Sequence, residues 1–180
     1  MKDLMVDIET LGTDTNSTII QIAGAYFDIE TGEVGRKISL SLDVENTNGL
    51  RLNKETMKWW VEQKNFKEIF SGTLSEREMY HKFHEFVSPD TLIWCNGITF
   101  DSVMLKHQMG RFSLDFPFKY NAERDLRTII DITERFCGWG KGSIKEKFTN
   151  PNPHNAMSDV LHQIKLLNYC FKSLKYKVQS

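Results

Sequence analysis

Apolar and polar positions along the chain change period several times, and the changes mark the elements. Residues 2–8 read as a strand that ends at Met5-Val6-Asp7-Ile8-Glu9-Thr10 and stops at Leu11-Gly12-Thr13. Residues 18–28 are apolar enough for a central strand, with small residues where neighbours approach. Glu30 to Glu33 is a turn, and Lys37 to Leu42 alternates polar and apolar at period two. Three successive strands with short connections predict an antiparallel meander. From Leu50 to Phe70 the period becomes helical, with Asn53 as a cap for a helix through Val61. A second helix is predicted from about Ser75 to Val87, ahead of Pro89. Thr91 to Cys95 is a short apolar run between Ser88-Pro89-Asp90 and Asn96-Gly97, which suits a buried strand. Further helices are predicted over Ser102–Arg111, Asp125–Phe136 and Ser158–Lys175, the last with Val160, Leu161, Ile164, Leu167 and Phe171 at helical spacing. Strands followed by helices alternating with further strands predict a mixed α/β sheet flanked by helices.

Composition narrows the class without changing that picture. The length of 180 residues suits one domain over 1–180, and 40% apolar with 26% charged residues is ordinary for a globular protein. A formal net charge of -1 gives no general attraction for nucleic acid, so any polyanion must be met by a local basic patch or by metals. Cys95, Cys137 and Cys170 are odd in number and widely spaced, which suggests neither a disulfide framework nor a thiolate zinc site. No apolar run reaches transmembrane length, and the expected setting is a reducing cytoplasm.

The candidate chemistry lies in four acids and one histidine. Side chains two apart on a strand leave the same face, with Cα atoms about 6.6 Å apart, so Asp7 and Glu9 point together while Val6 and Ile8 point into a core. Two adjacent anions repel and lose hydration unless cations hold them, and hard divalent cations with oxygen ligands are the natural answer. The competing reading is an edge strand with two solvated acids. Asp101 follows the strand at 91–95 and falls at a helix start, where a plain N-cap is the alternative. Asp159 is expected in the first turn of the last helix, capped by Ser158 or the residue before it, with His154 in the loop five residues ahead. Its alternative is an Asp that complements the helix dipole, beside a solvated loop His.

Taken together, strand D-x-E, strand-loop-Asp and loop His-x4-Asp resemble the DEDD superfamily of 3′–5′ exonucleases, in its histidine-bearing (DEDDh) branch. The resemblance spans nearly the whole chain and implies a ribonuclease H-like mixed sheet, an antiparallel N-terminal meander plus parallel strands. Asp7-Ile8-Glu9-Thr10, Trp59-Trp60, Phe100-Asp101 and Arg124-Asp125-Leu126-Arg127-Thr128 are similar to the phage exonuclease A and ribonuclease AS-like group. The resemblance implies that Asp7, Glu9, Asp101 and Asp159 hold two divalent ions, Mg2+ or Mn2+, and that His154 is the general base. The implied reaction is hydrolysis of single-stranded DNA or RNA from a free 3′ end to 5′-mononucleotides, by a monomer or homodimer and with no membrane involved.

Expected substrate contacts follow. By resemblance, Thr10 meets the terminal sugar and Leu11 the last base. Trp59, Trp60 and Phe100 are candidates for stacking on unpaired bases, although adjacent helix positions cannot both face one groove and at least one Trp is expected in the core. Arg124 and Arg127, three apart at a helix start, either share a face that receives phosphate or steady the acidic cluster. Asp125 is expected to cap that helix. His81, His84, His107 and His162 lack a supporting carboxylate pattern, and the basic runs 54–67 and 141–147 either flank a nucleic-acid path or are solvated faces. Three rivals remain at this point: a trimmer of very short oligonucleotides, a catalytically silent nucleic-acid-binding domain of the same fold, and a structural domain whose acids are caps and surface charge.

Overall fold

The computed structural model describes residues 1–179, so the last residue of the domain expected over 1–180 lies outside the described residues. The strands are β1 (Asp3–Thr10), β2 (Ile19–Phe27), β3 (Val34–Ser41), β4 (Leu92–Cys95) and β5 (Glu123–Asp125). They form one sheet in the order β3-β2-β1-β4-β5. β1, β2 and β3 pair antiparallel, whereas β1 with β4 and β4 with β5 pair parallel. The helices are α1 (Lys54–Val61), α2 (Phe66–Ile69), α3 (Glu76–Phe86), α4 (Ile98–Gly110), α5 (Leu126–Cys137), α6 (Ser143–Glu146) and α7 (Ala156–Gln179).

β1 and β2 are central and buried on both faces, which is why β2 reads as a continuous apolar run rather than an alternation. Leu4, Val6 and Ile8 of β1 join one core with Trp60, Phe83, Met104 and Leu105. Met5 faces the other way, into a core with Ala23, Ala25, Val160, Ile164 and Leu167. Asp7 and Glu9 share the face of Met5 by alternation, and so look toward α7. The small residues of β2 have a packing cause: a Cβ on Gly24 would stand 3.3 Å from Leu4 Cδ1.

Local capping sets several boundaries. The Asn53 side chain accepts the Glu55 and Thr56 amides at the start of α1, and Ser75 with Glu78 closes a capping box at α3. Other expected boundaries are corrected. α4 begins at Ile98 instead of Ser102, which puts Asp101 inside the helix as its fourth residue. α7 begins at Ala156 instead of Ser158, and the Asn155 side chain caps it by accepting the Ser158 amide at 3.1 Å. The strand β5 and the short helices α2 and α6 carry too few residues for a readable period. Because Arg124 belongs to β5 and Arg127 to α5, the two arginines do not share a helix face.

Candidate active site

The site exists because β4 is shorter than its neighbour. β1 pairs with β4 only over Asp3–Met5, and β1 then runs on to Thr10 while β4 ends at Cys95. A crevice opens at the carboxyl ends of these parallel strands, where open α/β sheets take ligands. Gly97, at φ 114, turns the chain straight from β4 into α4, a backbone state that suits glycine. α4 thereby delivers the buried Asp101 to the end of β1, where its Oδ1 accepts the Ile8 N–H at 3.3 Å. α7 delivers Asp159, whose two oxygens accept the Asn150 Nδ2 at 2.7 Å and the His154 backbone N–H at 2.9 Å. Asp7 Oδ1 accepts Gln163 Nε2 at 2.7 Å. Asp7, Glu9 and Asp159 each place a carboxylate oxygen within 4.8 Å of the others. Asp101 stands outside that trio, but its charge is the strongest electrostatic influence on Asp7.

The electrostatics follow from removing several like charges from water. Burial, then the charges of Asp159 and Asp101, push the Glu9 carboxyl up to about 8. Burial, then Asp101, Glu9 and Asp159, hold Asp7 well above the ordinary carboxylate range against the Gln163 hydrogen bond. Burial lifts Asp101 to about 7, opposed by the Ile8 amide and the Arg127 charge. Burial also raises Asp159, opposed by the His154 amide and charge and by Asn150. A cluster of carboxylate oxygens that resists ionisation by itself fits hard dications, which relieve the repulsion and replace the lost hydration. Raised folded pKa values mean that the metal-free fold favours the protonated acids. Their contribution to stability is present below the ordinary carboxylate range and is lost as pH rises through about 7 and 8. Thermal melts in EDTA should therefore fall between pH 5 and pH 9. Mn2+ or Mg2+ at one hundred times its dissociation constant should restore about 2.7 kcal/mol at the upper end. A melting temperature insensitive to metal at pH 8 would overturn this.

His154 sits in a loop strapped down from several sides. Its backbone is left-handed, at φ 62, and its ring meets Trp59 edge-on at 4.7 Å and 86°. Asn65 Nδ2 donates to the carbonyls of Pro153 and His154, each at 3.1 Å, and Asn155 Nδ2 donates to Glu68 Oε1 at 2.9 Å. The α1–α2 segment thus positions the histidine beside Asp159.

A pocket of about 400 Å³ adjoins the acids, lined by Glu9, Thr10, Glu55, Thr56, Trp59 and Phe100 among others. Some expected contacts are corrected here. Leu11 is buried at 1% exposure and belongs to the core, so it offers no face to a base. Trp60 is equally buried, and its Nε1–H donates to the Thr10 carbonyl at 2.9 Å, so of the pair only Trp59 reaches solvent. The Thr10 hydroxyl donates to the Gly12 carbonyl at 2.6 Å. Arg124 donates to the carbonyls of Asn121 and Glu123. Arg127 lies against Gly97, where an added Cβ would stand 2.9 Å from its Cζ. Asp125 caps α5 through the Thr128 amide and also accepts the Ile98 N–H at 2.9 Å, which ties α4 to β5. Partial burial works against ionisation of Asp125, but those two amides hold it below its ordinary range. Of the other histidines, His81 and His84 lie on α3, and His107 hydrogen-bonds Asn16. His162 is lowered by burial against the pull of Asp159.

Sequence reasoning missed Gln163, Asn150 and Asn65. Gln163 was findable, because it lies four residues after Asp159 on the same helical face. It is buried, and its Oε1 has no hydrogen-bond partner while its amide holds Asp7. Groups that orient metal-binding carboxylates typically contribute 10–100-fold in affinity or activity. Gln163→Leu should weaken the midpoint of Mn2+-induced thermal stabilisation by about tenfold or more. An unchanged midpoint would leave Gln163 a packing residue.

A crevice of clustered acids with a histidine alongside opens on this mixed sheet, whose fold is ribonuclease H-like. The chain belongs to the Rv2179c-like 3′–5′ exoribonuclease domain family, whose model matches residues 2–171, and it is a nuclease of the 3′–5′ exonuclease class. It is similar to an exodeoxyribonuclease of Enterobacteria phage T4, at 26% identity over 209 aligned positions, 94% of this chain and 90% of the relative. Among solved structures, the zinc-bound complex of E. coli exonuclease I with single-stranded DNA superposes with a TM-score of 0.76 at 17% identity, covering 98% of this chain. The chain spans only 42% of that protein. Cell-death related nuclease 4 superposes with a TM-score of 0.72 at 16% identity, over 94% of this chain and 63% of that one. Among the described residues, no helix is long and apolar enough to cross a membrane.

Proposed function

We propose that the protein is a divalent-metal-dependent 3′–5′ exonuclease that removes 5′-mononucleotides from the 3′ end of single-stranded DNA or RNA. The carrying observation is the convergence of Asp7, Glu9 and Asp159 within 4.8 Å, with Asp101 acting on Asp7 and Glu9. In this reading the four acids hold two ions, Mg2+ or Mn2+. When bound, such ions neutralise the phosphate, lower the pKa of water and stabilise the leaving oxygen of an in-line displacement. His154 accepts the proton of the attacking water, a role suited to a positioned imidazole. The Asp159 carboxylate and the Asn65 amide fix the backbone on either side of the His154 ring. Trp59 and Phe100 enclose the terminal nucleoside in the pocket beside Glu9, and stacking there tolerates any base. Thr10 meets the terminal sugar. The enzyme acts in the cytoplasm, as monomer or homodimer.

The test is a time course on 5′-labelled DNA and RNA of one sequence, with Mg2+, Mn2+ or EDTA. A metal-dependent ladder shortening from the 3′ end supports the reading and names the sugar. Intact substrate that still shifts on a native gel would make the protein a binding domain instead.

A further inference from the structure

Beyond the acids, on the β5 side of the sheet, α5 and the turn into α6 enclose a second cavity of about 340 Å³, lined by Arg127, Lys141 and Lys145 with Ile130, Asp131 and Glu134. Its two acids are committed elsewhere. Asp131 pairs with Arg135 at 2.8 Å, and the buried Glu134 accepts the Gly142 and Ile144 amides, both at 3.0 Å. Its three cations make no ion pair within 4.0 Å among the described residues, and Lys141 and Lys145 are exposed. The groove reaches the acids through Arg127, whose guanidinium lies against Gly97 at the turn into the helix that carries Asp101. The chain has a formal charge of -1, so a polyanion needs such a local cationic surface.

We propose that this groove carries the backbone phosphates of the strand upstream of the scissile bond, with Arg127, Lys141 and Lys145 as the phosphate contacts. This rests on the exonuclease reading and extends it from the aromatic pocket beside Glu9 to the groove that begins at Arg127. The terminal nucleoside occupies the aromatic pocket and the rest of the strand leaves along α5 and α6. Phosphate contacts of this kind are independent of sequence and release counterions, so they are read in the salt dependence. Glu134, by holding the turn at Gly142 and the start of α6, positions both lysines.

The test compares the wild type with Lys141→Glu, Lys145→Glu and the double variant, using fluorescence anisotropy of labelled dT20 or U20 in EDTA. Lys37→Glu on β3, at the far edge of the sheet, controls for the change in net charge. The dissociation constant should rise at least tenfold in the double variant, and the slope of log affinity against log salt should fall by about 0.7 per lysine removed. With Mn2+, the ratio of kcat/KM on the 20-mer to that on the dinucleotide pTpT should fall at least tenfold. Binding and ratio within twofold of wild type, or an equal loss in Lys37→Glu, would overturn the groove. So would a wild type that binds neither 20-mer. A wild type that binds the strand through these lysines but hydrolyses neither substrate would instead overturn the exonuclease reading and leave the groove standing.

Discussion

Glu9→Gln is expected to lower hydrolysis by on the order of 10³-fold or more while raising the melting temperature of the metal-free protein. Glu9 is the cleanest of the four acids to neutralise. Asp7, Asp101 and Asp159 each accept a hydrogen bond that holds neighbouring structure, whereas among the described residues no such bond ties Glu9 in place. The substitution keeps the shape and removes one charge from a site where burial and two neighbouring acids push that carboxyl up to about 8. At pH 9 in EDTA, the ionised Glu9 costs the fold a few kcal/mol, roughly 5–10 °C of melting temperature for a chain of this length. Below the ordinary glutamate value of 4.5 the wild-type side chain is neutral in both folded and unfolded chains, and the two proteins should melt together. Activity retained within tenfold would remove Glu9 from the metal-binding set. A destabilisation at pH 9 would show that the cluster is not electrostatically strained.

His154→Asn is expected to lower kcat by 10²–10⁴-fold, the range of a positioned general base, with the Mn2+ midpoint of thermal stabilisation nearly unchanged. Asn is the better choice than Ala because residue 154 has φ 62, a left-handed state that Asn tolerates and Ala resists. The backbone N–H of residue 154 still donates to Asp159, so the loop keeps its anchor. A large fall in metal affinity would make His154 a ligand instead of a base. Asp159→Ala is less diagnostic, because it frees Asn150 and the loop amide along with the carboxylate.

How much of the site was legible depended on how far apart the interacting residues are in sequence. The D-x-E alternation alone put Asp7 and Glu9 on one face, and β1 does so with Val6 and Ile8 in the opposite core. The Trp59-Trp60 pair showed that one ring must be buried, since neighbours on a helix face different ways. Which one was open until the carbonyl of Thr10, fifty positions away, claimed the Trp60 N–H. Arg124 and Arg127 looked alike in sequence, but Arg124 lies in a three-residue strand that no periodicity could reveal and Arg127 in the helix after it.

The sequence by itself determined the elements with local causes: the caps at Asn53, Ser75 and Asp125, the periods of β1, β2 and α7, and the residue types able to hold a hard cation. These depend on contacts within four residues, where side chain and backbone carry the whole interaction. Only the tertiary structure decided that β4 stops short of β1, that Asp101 enters from within α4 to take the Ile8 amide, and that Gln163 reaches from α7 to Asp7 on β1. Those arrangements join residues 93 and 156 positions apart, and their geometry follows from how the two cores pack the helices against one sheet.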